Sequence, residues 1–251
     1  MKTMKNIFNN LKTNKIMETK KNTKGWTAKS ENEKQVSPGV KKVHNLIIVD
    51  ESGSMSSMYN AALTGMNETL ETIRQLAAEN PEQKQEVTLV TFDTEHYNKI
   101  FDSVAGDKTR QLTTRDYRPG GCTPLYDAMG KGITELEPKV KENEAVLVTV
   151  ITDGYENASC EYTQAAIRAL VERLDQAGWV FSYIGGDQDA EAVGKSMGIT
   201  DTLNYDCTEA SMKQMWAEER EARVNFNKIM SCNDFAPTSF ERGTLFKRKK
   251  K

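Results

Sequence analysis

Two short runs of the chain are almost continuously apolar, NLIIVD at 45–50 and AVLVTVITD at 145–153. Runs of this kind suit central strands of a parallel sheet, which are covered on both faces. Between them the period changes. Met58, Ala62, Met66, Leu70, Ile73 and Leu76 recur at steps of four and three, predicting a helix that Asn80-Pro81 ends. EVTLVTFD (86–93) and YNKIF (97–101) then predict two strands joined by a short loop, hence an antiparallel hairpin.

A further helix is expected from Thr123-Pro124, with Thr as N-cap and Pro in the first turn, carrying Leu125, Met129, Ile133 and Leu136 as far as Pro138. Ile167, Leu170, Val171 and Leu174 predict the helix that Gly178 closes. WVFSYIGGD at 179–187, a short helix near 189–197, a strand at 202–206 and a long polar helix over 208–230 complete the series. Within that last helix the charged stretch 213–223 reads as a solvated face. Strand and helix alternate throughout, which predicts one doubly wound α/β domain with helices on both faces of a mostly parallel sheet.

The ends have a different texture. Residues 1–43 hold eleven Lys and three Glu, a net of +8, with few apolar side chains, and read as a basic flexible arm. The domain proper spans 44–230, and 231–251 reads as a tail ending in the basic cluster KRKKK. Residues 44–246 carry 18 basic and 33 acidic side chains, so a core of net -15 lies between two basic ends.

Composition removes several function classes. A mean hydropathy of -0.64 and the lack of an apolar run near the roughly 20 residues needed to cross a bilayer exclude a helical membrane span. The basic first twenty residues contain no apolar stretch of the secretory kind, so the expected location is the cytoplasm. Cys122, Cys160, Cys207 and Cys232 form no C-x-x-C pair and read as free thiols. Only His44 and His96 could serve as imidazole bases, and neither is expected near a strand's carboxyl end in the sheet interior.

Ligand sites in open α/β sheets lie beyond the carboxyl ends of the strands, where strand order reverses. After the first strand the chain reads Asp50-Glu51-Ser52-Gly53-Ser54, and alternate residues of an extended loop aim Asp50, Ser52 and Ser54 at one point. Gly121-Cys122-Thr123 and Thr152-Asp153-Gly154 bring further oxygens to equivalent places. Hard oxygen donors without imidazole or thiolate suit Mg²⁺, with Mn²⁺ next, and disfavour zinc. Taken singly, Ser52 and Ser54 could merely cap the next helix, Asp153-Gly154 could be a turn, and Asp93 and Asp187 read as turn or supporting residues. Gly185-Gly186-Asp187-Gln188-Asp189 has the spacing of neither a dinucleotide fingerprint nor a phosphate loop.

The three pieces in this order, D-x-S-x-S after one apolar strand, G-x-T, then T-D-G after a second, resemble the von Willebrand factor type A (vWA) domain with its metal-ion-dependent adhesion site. The resemblance covers roughly 44–206 and extends toward 230. It implies a Rossmann-like sheet with one antiparallel edge strand, direct cation ligation by Ser52, Ser54 and Thr123, and direct or water-mediated ligation by Asp50 and Asp153. It also implies that a partner protein fills the remaining position with an Asp or Glu carboxylate. Glu51 adds a negative charge the pattern does not use, while Gly120-Gly121 and Tyr155-Glu156-Asn157 stand where side chains could set partner choice.

The function expected is therefore an intracellular, metal-dependent protein-binding module, monomeric on its own, with no catalytic role. Compact bacterial members of the family associate with ATPases or stress-resistance assemblies, and the resemblance extends that expectation to this chain. Two other classes stand beside it. A Mg²⁺-dependent hydrolase or phosphotransfer enzyme would need a base that neither histidine is placed to supply. Nucleic-acid association through the basic arms would show a steep salt dependence and indifference to a chelator.

Overall fold

The computed structural model describes residues 39–246. Of the basic arm expected over 1–43, residues 1–38 lie outside the described residues, as does the KRKKK tail at 247–251; residues 39–43 are not arm, since Val40 is buried and hydrogen-bonded to Met230 and the first strand starts at Lys42. β1 (Lys42–Asp50) leads through a 3-10 turn into α1 (Tyr59–Glu79), followed by β2 (Lys84–Phe92), β3 (Tyr97–Ala105) and α2 (Leu125–Leu136). Then come β4 (Ala145–Thr152), α3 (Gln164–Gln176), β5 (Trp179–Gly186), α4 (Ala190–Ser196), β6 (Asp201–Tyr205) and α5 (Glu209–Met230). The sheet order is β3-β2-β1-β4-β5-β6, antiparallel only between β2 and β3. This is the doubly wound, Rossmann-like α/β fold with one antiparallel edge strand.

Strand alternation assigns each side chain to a layer. Leu46 and Ile48 of β1 pack with Val148 and Val150 of β4 against α2, α3 and the start of α4. Ile47, Val49 and Ile151 face the other way, onto Met66, Leu70 and Ile73 of α1 and Met212, Met215 and Trp216 of α5. Burial of each such side chain stabilises the fold by about 1.5–3 kcal/mol. The continuous apolar runs of β1 and β4 thus reflect two covered faces, whereas β3, at the edge, buries only Phe101.

Three sequence expectations are corrected by packing. The charged 213–223 stretch of α5 is a solvated face only in part: Lys213 and Glu221 are exposed, but Glu219 and Arg223 are both buried against the sheet. Arg223 pairs with Glu219 and donates to Asn45 Oδ1 of β1 at 2.7 Å and Thr149 Oγ1 of β4 at 3.1 Å. α5 lies close on α1 because Gly65 has no side chain; a Cβ there would fall 2.2 Å from the Trp216 ring.

Residues 231–246 are also not a free tail. Phe240 meets Phe226 of α5 edge to face, Leu245 is buried, and Asp201 accepts hydrogen bonds from the Gly243 and Leu245 N–H groups. Thirdly, His44 lies inside β1 rather than before it, buried beside Glu86 and Glu144 at the end of the strand remote from Asp50.

Candidate metal centre

With strand order 3-2-1-4-5-6, the chain's crossovers reverse between β1 and β4, and Asp50 and Thr152 are the last residues of those two strands. A crevice therefore opens where the motif residues stand. Asp50 is fully buried. One carboxylate oxygen accepts the Ser52 N–H at 2.7 Å and the other accepts the Thr152 hydroxyl at 2.5 Å. Its backbone carbonyl takes the Tyr117 hydroxyl at 2.8 Å, which fixes the strand end from behind.

Ser52 and Ser54 bring their hydroxyl oxygens to 3.1 Å of each other, and Ser54 donates to Asp153 Oδ1 at 2.6 Å. The oxygens converge as expected, but not by alternation along an extended loop, because Ser54 already lies in the 3-10 turn Gly53–Met58. Neither serine caps the 3-10 turn that follows, since Ser52 at its N-cap makes no side-chain capping bond. Thr123 arrives from the loop before α2, its backbone tied to Asn157 in both directions. A Cβ placed on Gly154 would lie 3.1 Å from Thr123 Oγ1 and 4.0 Å from Asp50 Oδ2, so the Gly154 backbone brings these two oxygens toward one point. All five sequence-predicted residues stand at the same rim.

The expected capping role of Thr123 is not found. α2 begins after Pro124, and its first free N–H groups go to the loop after β4: Tyr126 N–H to Glu156 Oε2 at 2.9 Å and Asp127 N–H to Ser159 Oγ at 3.1 Å. The Thr123 side chain is left for the rim. The same bonds change the reading of 155–157. Glu156 and Asn157 hydrogen-bond within the fold, Asn157 while still exposed, and Tyr155, 58% exposed, faces outward.

Electrostatically the rim is unusual. Asp50 is pushed up to about 6, chiefly by burial, with the nearby Asp153 adding to the rise. Asp153 is raised too, again by burial first and by the charge of Asp187 next. The hydrogen bonds that these two carboxylates accept come from hydroxyls and backbone N–H groups. A buried carboxylate with a second, partly buried one beside it, both held by neutral donors, is costly unless a cation meets them. The donor set of two carboxylates and three hydroxyls matches a hard divalent ion in chemistry.

Several residues of the site left no signal in the motif. Glu51, whose charge the pattern does not use, is buried; its Oε1 accepts the Arg118 N–H and its carbonyl accepts the Gly120 N–H at 2.8 Å, so it holds the 118–120 loop against the rim. Tyr117 reaches Asp50 from a segment far away in sequence, whereas Thr152, which also reaches it, is the first residue of the T-D-G piece. Asp93 receives the Glu95 and His96 N–H groups and shapes the β2–β3 turn, as a turn residue should. Asp187, at φ 46°, accepts from Cys207 N–H at 3.0 Å beside the rim.

No family model matches the chain, and no curated protein matches it. Among solved structures, it is similar to the open form of the pilus adhesin SpaC from Lactobacillus rhamnosus GG, with TM-score 0.56 and 14% identity over 76% of this chain and 31% of that one. It is similar also to the D319A mutant of the PilB minor pilin from Streptococcus sanguinis, with TM-score 0.51 and 15% identity over 79% of this chain and 63% of that one. The vWF domain of the type V pili tip protein Mfa5 from Porphyromonas gingivalis aligns at TM-score 0.49 and 10% identity, over 74% of this chain and 96% of that domain. The chain spans less than two thirds of the SpaC and PilB structures, and at such identities the likeness is one of fold alone.

Proposed function

We propose that this domain is a non-catalytic, vWA-type protein-binding module in which Mg²⁺ or Mn²⁺ at the β1/β4 crevice captures an Asp or Glu carboxylate of a partner. The observation that carries the reading is the buried Asp50 beside the partly buried Asp153, joined through Ser54 to Ser52 and, among the described residues, without a cationic side chain in their hydrogen bonding. Ser52, Ser54 and Thr123 would hold the ion directly, and Asp50 and Asp153 would meet it directly or through water. The cation would supply a Lewis-acid position for one more oxygen. Three neutral ligands leave part of its charge uncancelled, so an anionic group is the favoured occupant.

The surroundings support a macromolecular ligand. Ser54 and Tyr155 are exposed at the rim, while Gly120 has nothing within 4 Å of where a side chain would start. A partner can therefore approach the cation closely between them. The domain's net charge of -15 repels an acidic partner at a distance, so attraction is confined to within about a Debye length, roughly 8 Å at physiological salt. Association with an ATPase or a stress-resistance assembly in the cytoplasm is the biological setting we propose.

Calorimetric titration with Mg²⁺ and Mn²⁺ tests the reading. One saturable event is expected, absent in Asp50→Ala and strongly weakened in Asp153→Ala, with circular dichroism unchanged because these side chains lie at the rim. Metal binding that survives both substitutions would remove the assigned site.

A further inference from the structure

Tyr205 is the last residue of β6, two strands away from the motif, and is 5% exposed. Its hydroxyl is buried and has no hydrogen-bond partner among the described residues. Buried phenol groups normally find a partner, and leaving one unpaired costs about 1–3 kcal/mol. Where the hydroxyl points is therefore informative.

The register supplies the direction. Thr152 of β4 stands opposite Gly185 of β5, and Gly186 opposite Tyr205 of β6, so one step beyond Thr152 brings Asp153 abreast of Gly186. Ile151, Ile184 and Tyr205 pack on one face of the sheet, and Asp153, two residues after Ile151, follows the same alternation. The residue between Asp153 and Tyr205 has no side chain. A Cβ on Gly186 would fall 2.7 Å from Tyr205 Cζ, 2.9 Å from its Oη and 2.8 Å from Cys207 Sγ, so the end of the ring lies over Gly186, the residue that the register puts between Tyr205 and Asp153. After burial, the charge of Asp153 is the strongest influence raising the Tyr205 hydroxyl above the usual phenol range.

We propose that Tyr205 is a positioning residue of the metal centre, donating its hydroxyl across Gly186 to the Asp153 carboxylate or to the water through which Asp153 meets the cation. The inference rests on the metal-binding reading above. It accounts for a phenol left unpaired inside the core, and it fits a glycine at 186, where a side chain would meet both the end of the Tyr205 ring and Cys207 Sγ. Partners of this outer kind typically change metal affinity by about 10–100-fold when removed.

The test compares parent, Tyr205→Phe and Asp153→Ala, each titrated with Mg²⁺ and with Mn²⁺ by calorimetry and each melted in chelator. Phenylalanine keeps the ring and the core, so the metal-free melting temperature of Tyr205→Phe should match or exceed the parent's. Its affinity for both ions should fall about tenfold or more. Affinity within twofold of the parent's would overturn the proposal while leaving the metal site standing. So would a loss of metal-free stability with the affinity kept, which would make the hydroxyl structural. A parent that binds neither ion would end the metal reading, and this proposal with it.

Discussion

The domain buries charge in two places and treats it in opposite ways. On the face covered by α5, Glu219 and Arg223 are wholly enclosed, and Arg223 also reaches Asn45 and Thr149 across two strands. Thr69 Oγ1 is 3.4 Å from the second Glu219 oxygen. At the β1/β4 crevice, Asp50 is enclosed as completely, yet its partners are a hydroxyl and an N–H, and a second carboxylate stands nearby. The first arrangement satisfies itself and asks for no ligand. The second leaves negative charge in a low-dielectric place, which is the physical mark of a site completed by something from outside.

Removing one member of the self-contained pair gives the largest expected effect. Arg223→Met leaves Glu219 buried without its counter-charge, and breaking such a pair costs about 3–5 kcal/mol. Urea unfolding should show it as a lowered midpoint. The double variant Arg223→Met with Glu219→Leu should recover most of the loss, because replacing both charges by apolar groups is often near neutral. If the single variant is as stable as the parent, the two regions do not differ as described.

The crevice should respond in the opposite direction. Asp50→Asn removes a buried charge that has no cation in the metal-free protein, so in chelator the variant should be more stable at pH 7. A shift from 3.8 to about 6 corresponds to roughly 3 kcal/mol. The same variant should lose metal binding, so stabilisation in chelator and failure to be stabilised by Mg²⁺ belong together.

The pH dependence sharpens this. Because the folded-state value of Asp50 is raised, its favourable contribution is complete below the unfolded value near 4 and is lost as pH rises through about 6. The gap in stability between Asp50→Asn and parent, measured in chelator, should thus narrow as pH falls from 7 toward 4. Measuring the difference cancels groups that act oppositely, such as Asp116, which its bond from Arg110 holds well below the usual carboxylate range. With Mg²⁺ present the slope should reverse, since the ion must displace the proton. A gap that stays constant from pH 7 to 4 would show that Asp50 does not titrate as a buried acid.

The two regions were also legible to different degrees. Asp50, Ser52 and Ser54 sit at alternate positions of one short segment, and Thr123 and Asp153 each follow a recognisable turn or strand, so the order of the three pieces, and the resemblance it carries, pointed to the set. The parallel sheet was legible too, since β1 and β4 are apolar without interruption. Tyr117 and Tyr205 were not, because their approach to the rim depends on loop paths and strand register that no short motif encodes. α5 misled for a related reason. Met212, Met215, Trp216, Ala222 and Phe226 do line a buried face, but Glu219 and Arg223 lie on it as well, and a pattern of charged residues reads as solvated unless their partners on β1 and β4 are seen.

The smallest expected effect tests that last point, because α3 contains the same kind of pair at the same spacing. Arg168 and Glu172 are four residues apart and 2.8 Å from each other, like Glu219 and Arg223 in being an i, i+4 ion pair, but both are about half exposed. In water the pair's attraction is screened and part of it is offset by the entropy of holding two long side chains still, so exposed helix pairs contribute about 0.3–0.5 kcal/mol. Glu172→Ala should therefore lower stability by no more than about 0.5 kcal/mol, less at 1 M salt, where the Debye length falls to about 3 Å. Alanine's better helix propensity further reduces the loss. Should Glu172→Ala instead cost several kcal/mol, as Arg223→Met is expected to, spacing rather than burial would set the strength of these pairs, and the contrast between α5 and the crevice would lose its basis.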